Sequence, residues 1–202
     1  MNGEFAESGA QMVGFGPKQA WLAIREGDVT KVLDALALRD LGPVSWRNAV
    51  DVAYLTDDRL LLTPLLPGAG GANWLLVAGR WLLRPQVTVD VVELSWMLGT
   101  EVQFFSTYRV GEVHRWERAV DGELVRAFAY VGETGEVERW IGEPDDAERR
   151  LGLPADIDDE GIEVLVSEHD VLRLAGAWSV NPEELDGRAA APGDRPRAAA
   201  AR

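Results

Sequence analysis

The stretch STYRVGEVHRWERAVDGELVRAFAY, residues 106–130, gathers most of the side chains in this chain that could do chemistry: Thr107, Arg109, Glu112, His114, Trp116, Glu117 and Arg126. His114 is one of two histidines, and an unperturbed imidazole, with a pKa of about 6.5, is suited to act as a general base near neutral pH. Glu112 or Glu117 could orient it. Arg109 and Arg126 could hold an anionic group, with Thr107 and Trp116 completing the wall of a cleft. Such a base also needs a nucleophile or a substrate proton within hydrogen-bond reach. Without one, His114 is a half-buried strand histidine making a structural hydrogen bond.

The stretch reads as paired strands. Val113 to Val120 and Leu124 to Val131 flank Asp121-Gly122, the strongest short-range hairpin signal in the sequence. Residues two apart share a strand face, which puts His114, Trp116 and Arg118 together and Glu117 on the opposite face with Arg115. A two-residue turn would place Glu117 across from Arg126.

The same signals extend along the chain. A strand at Trp21–Ile24 ends at Gly27, and Asp28 caps a helix with apolar residues at 29, 32, 33 and 36. Residues 50–55 and 59–63 flank Thr56-Asp57-Asp58 as a hairpin. The run LPGAGGANWL, residues 66–75, has the glycines of a phosphate loop. However, it lacks the Lys-Ser/Thr of a Walker sequence and leads into the Trp- and Leu-rich strand 73–83 rather than a helix, so it reads as an inter-strand loop. Asp90 and Glu93 open a short helix that Gly99 stops. Strands follow at 102–108 and, beyond the hairpin, at 137–141; then come a brief helix at 144–152 and an amphipathic helix capped by Ser167. Short turns between most strands predict an α+β fold, with a largely antiparallel sheet of seven or eight strands and about four helices.

The expected organisation is a flexible N-terminus (1–16), one domain (17–186) and a disordered tail (187–202). The tail is built from Ala, Gly, Pro, Arg and one Asp, and offers nothing large to bury.

The formal charge of −14 disfavours nucleic acid and anionic membranes and leaves a basic protein partner open. With no cysteine, thiolate metal sites and cysteine nucleophiles are excluded. No apolar run reaches the roughly 20 residues of a membrane span, and the N-terminus lacks the order of a secretory signal, so a cytoplasmic protein is expected. No metal or other cofactor is expected. His169 lies in the first turn of the last helix and reads as surface structure. The acidic run 156–168 matches a calcium loop for six positions and then fails, with Ser167 where the bidentate Glu belongs. Eight tryptophans spread over nearly every element suit core packing, although some could form a pocket or a partner-binding surface.

The run "YRVGEVHRW…RAFAYVGETGE" resembles the signature of a bacterial, actinobacterial-type family of cytosolic proteins with no established reaction. The resemblance extends from Trp21 to about Leu153 and includes "TPLL…NWLLVAG". Tyr108 stands where that family pattern carries His, which weakens any pairing of two histidines. The resemblance implies a bacterial, single-domain α+β protein and adds no activity.

No complete catalytic constellation emerges. The expectation is an accessory protein acting by protein binding, in immunity, regulation or assembly. The alternative is a small-molecule binder or enzyme with an Arg/Glu/His cleft around residues 107–126.

Overall fold

A computed structural model describes residues 11–84, 87, 89–108, 111–157 and 165–201. In chain order its elements are β1 (Ala20–Arg25), α1 (Val29–Ala35), β2 (Leu38–Pro43), α2 (Trp46–Leu55), β3 (Arg59–Leu62), β4 (Leu66–Pro67) and β5 (Asn73–Ala78), followed by α3 (Val91–Leu98). Next come β6 (Val102–Tyr108), β7 (Val113–Val120), β8 (Glu123–Val131), β9 (Glu136–Ile141), α4 (Asp146–Leu151), α5 (Glu168–Trp178) and β10 (Arg197–Ala201).

Among the described residues, ten strands form one sheet in the order β2-β10-β3-β5-β1-β6-β7-β8-β9, with β4 paired to β5, and every pairing is antiparallel. The α+β expectation holds, with ten strands among the described residues where seven or eight are expected and five α-helices where about four are. Period-two alternation divides the apolar residues between two faces. Trp21, Phe105, Trp116, Phe128 and Tyr130 pack with α2, α4 and α5, while Leu22, Leu60, Leu75, Val77 and Phe104 pack with α1 and α3. The result is a sheet between two helical layers.

The helices begin where the sequence offers a cap. Asp28, Ser45, Asp90, Asp145 and Ser167 each accept a backbone N–H from the first turn, worth about 1 kcal/mol apiece. Gly99 and Gly152 end α3 and α4 in the left-handed conformation.

Three expectations are corrected. Residues 50–55 are helical: Ser45 starts α2 earlier than the alternation of VDVAYL suggests, and Trp46, Ala49, Val50 and Ala53 then form one buried stripe. The tail forms β10, whose alanines slot between β2 and β3 with both neighbours hydrogen-bonded. Small side chains suit that position because Ala198, Ala199 and Ala200 are covered on both faces. Lastly, part of the expected flexible N-terminus is anchored. Gln11 bridges Ala189, the Met12 N–H donates to the Arg188 carbonyl, and Phe15 is buried.

The glycine loop does join β4 to β5. Its base is fixed: a Cβ on Gly68 would lie 2.4 Å from the Ser179 carbonyl oxygen, so only glycine fits.

Candidate functional site

An aromatic row accounts for three of the eight tryptophans. Cross-strand registers place Trp21, Phe105, Trp116, Phe128 and Trp140 side by side on β1, β6, β7, β8 and β9. Trp116 stacks on Phe128 at 4.1 Å between ring centroids, Trp21 stacks on Phe105 at 5.3 Å, and Trp140 meets Phe128 edge-on at 5.7 Å. Trp116 is therefore a rung of the core rather than the wall of a cleft.

One row further along the strands lie Thr107, His114 and Tyr130, directly opposite one another on β6, β7 and β8. All three are buried. The Thr107 hydroxyl donates to the Glu168 carboxylate on α5 at 2.9 Å, and the Lys18 backbone N–H reaches both groups, at 2.9 and 2.8 Å. His114 Nδ1 and the Tyr130 hydroxyl have no hydrogen-bond partner among the described residues. Burial holds His114 below the usual histidine pKa, against the raising influence of Glu168, Glu112 and Asp170. The imidazole is thus neutral near pH 7. Nearby, burial pushes the Tyr54 phenol up to about 12; its hydroxyl donates to the Pro17 carbonyl at 2.8 Å and accepts the Gly16 N–H.

Arg126 lies on the same face in the row beyond the aromatics, committed to structure. A bulge between Arg118 and Ala119 shifts the hairpin register by one, so Arg126 opposes Arg118, and Glu117 opposes Ala127. The predicted pairing of Glu117 with Arg126 does not form. Instead, the Arg126 Nε–H donates to the buried Glu148 of α4 at 2.9 Å. One of its terminal nitrogens donates to the carbonyls of Ala127, Ile141 and Gly142, and its guanidinium lies 4.5 Å from the centre of the Trp140 ring. Glu148 also accepts the Trp116 indole N–H at 3.0 Å and caps its own helix through the Asp145 N–H.

Glu117 points to the other face, where Arg115 (2.7 Å) and Arg139 (3.0 Å) both pair with one oxygen of its carboxylate. Glu112 is exposed, in the β6–β7 turn with φ of 48°. Arg109 lies outside the described residues, as does most of the acidic calcium-like run. The structure therefore brings Thr107 and His114 together and separates Glu117 from them, while Trp116 and Arg126 join a packing network. Sequence reasoning missed Glu148 and Glu168, whose signal was their place three residues after Asp145 and one after Ser167, at the start of a helix.

Seven of the eight tryptophans are buried or half-buried; Trp96 on α3 is 74% exposed. It lies over Gly122, whose N–H donates to Ser95 at 3.1 Å and so ties the β7–β8 hairpin to α3. Met97 beside it is 49% exposed and borders a groove of about 250 Å³ shared with Leu36, Trp81, Val89 and Leu94. Asp90 and Glu93 line that groove, and Asp121 and Glu123 are exposed in the adjoining hairpin. The indole of Trp96 over the hairpin and the groove bordered by Met97 are thus two separate apolar features of α3, each with acidic residues beside it.

No group of three or more His, Asp or Glu residues able to hold a metal ion occurs among the described residues, and no described helix is long and apolar enough to cross a membrane. No family model, curated protein or solved structure compared with the chain matches it.

Proposed function

We propose that the chain is a non-catalytic accessory protein that binds a protein partner through the outer face of α3. The observation that carries this reading is the exposed Trp96, in a chain whose other seven tryptophans are buried or half-buried. Tryptophan and methionine are enriched at interaction sites, and a large indole left in water gains most from being covered. The acidic residues Asp90, Glu93, Asp121 and Glu123, on a chain of net charge −14, fit a partner segment that carries an apolar anchor flanked by Lys or Arg. The dispersal of the candidate catalytic residues, with His114 buried and neutral and Glu117 on the opposite face, favours binding over catalysis.

The test places a photo-crosslinking p-benzoylphenylalanine at Met97 in producing cells, then measures binding of the purified crosslinked protein by calorimetry. The expected partner is basic and binds more weakly as salt rises. Its affinity should fall about 30-fold, roughly 2 kcal/mol, with Trp96→Ala. Crosslinking only to a second copy of the chain, or affinity indifferent to Trp96→Ala, contradicts the proposal.

A further inference from the structure

The rim of the glycine loop meets α4 and α5 around a cleft of about 420 Å³, within the size range of small-ligand sites. Trp74 and Trp178 form its apolar floor, and Ala69 and Gly70 form one edge. The Ala69 N–H donates to the Ser179 carbonyl at 2.7 Å, and the Trp74 indole N–H donates to the Ala69 carbonyl, so this edge is held in place. Three arginines enter from three different elements: Arg25 at the end of β1, Arg118 in β7 and Arg150 in α4.

The hydrogen-bonding capacity of the cleft is unbalanced. Its inner carboxylates are already engaged. Glu101 accepts from Arg118 at 2.6 Å and from Gln103 at 2.8 Å through one oxygen, and its other oxygen lies 3.9 Å from Arg25. One oxygen of Asp145 accepts the Ala147 and Glu148 backbone N–H groups. The other accepts the Trp178 indole N–H at 2.8 Å and lies 3.4 Å from Arg118. The donors are in surplus. The Arg25 guanidinium is half-exposed and makes no side-chain hydrogen bond among the described residues, and Arg150 has neither a hydrogen bond nor an ion pair among them. The position of Arg118 is fixed by Glu101, Asp145 and the face of Trp178, 5.6 Å away, so its remaining N–H groups are preorganised.

We propose that this cleft binds a small organic anion, its phosphate or carboxylate held by Arg25, Arg118 and Arg150 and its flat apolar part laid against Trp178. Guanidinium groups recognise both oxyanions through paired N–H donors. Glu101, Asp145 and Asp146 line the same cleft, so the attraction for the anion comes from the arginine N–H groups those carboxylates leave free rather than from net positive charge. The site is separate from the α3 surface, on the opposite face of the sheet.

Calorimetry with inorganic phosphate, adenosine 5′-monophosphate and benzoate tests the proposal on wild type, Arg25→Gln and Arg150→Gln. Neither side chain supports the core, and unchanged thermal midpoints of the ligand-free variants will confirm folding. The expected result is saturable one-site binding of the nucleotide or benzoate, tighter than that of phosphate, quenching tryptophan fluorescence and weakened about tenfold or more by each substitution. Preference between the two organic probes distinguishes phosphate from carboxylate recognition. No saturable binding at millimolar concentrations, affinity unaffected by both substitutions, or phosphate bound as tightly as both organic probes overturns it.

Discussion

The Arg126–Glu148 pair shows what the polar residues of the 106–130 stretch accomplish. Both side chains are almost wholly inaccessible to solvent, and the pair fastens α4 to the end of the hairpin. Removing one partner leaves a buried charge uncompensated. Arg126→Met is therefore expected to cost about 3–5 kcal/mol in urea denaturation, and combining it with Glu148→Leu should cost less than the two single losses together. A loss below about 1 kcal/mol for the single substitution contradicts this role. His114 predicts a pH dependence. Burial lowers its pKa in the fold, against Glu168, Glu112 and Asp170, so below about pH 6.5 the unfolded chain binds more protons. Its contribution is complete above that pH and declines as pH falls toward the folded value. Urea midpoints of wild type and His114→Gln, compared from about pH 8 to pH 5, should change relative to one another with wild type losing more. Parallel profiles contradict the assignment. The facing of His114 and Glu117 was legible from strand alternation alone. The true partner of Arg126 was not, because a bulge shifts the register and Glu148 comes from a distant helix.

At the level of elements, the sequence is clearest where a local signal is complete. Asp90 with Glu93 and Gly99 bounds α3, and Asp121-Gly122 bounds the β7–β8 hairpin. It misleads where pairing is long-range. The alanines of β10 carry no large apolar residue, and their strand exists because β2 and β3 supply hydrogen bonds on both sides. In α2 the segment 50–55 alternates by itself, and its period of 3.6 emerges only with the first turn, which adds Trp46 and Ala49 to the stripe of Val50 and Ala53. Truncation after Ala191 tests the role of β10. It exposes the facing edges of β2 and β3, so a lower urea midpoint and concentration-dependent association in light scattering are expected. An unchanged midpoint and a monomeric product contradict it.

Across the whole molecule, the sheet divides the labour between its faces. The layer bearing α2, α4 and α5 encloses the aromatic row and the buried Thr107, His114, Arg126 and Glu148, while the layer bearing α1 and α3 leaves an indole and an apolar groove in contact with water. Composition identified an acidic, tryptophan-rich chain, but not which tryptophan stays outside, because that depends on α3 crossing the hairpin at Gly122. Binding through this surface is the central claim. Its most direct measurement is the affinity of the partner crosslinked at position 97 for wild type and Trp96→Ala at low and high salt. A basic partner, salt-weakened binding and a loss of about 30-fold with Trp96→Ala are predicted. Equal affinity for the two proteins at either salt concentration would contradict the claim.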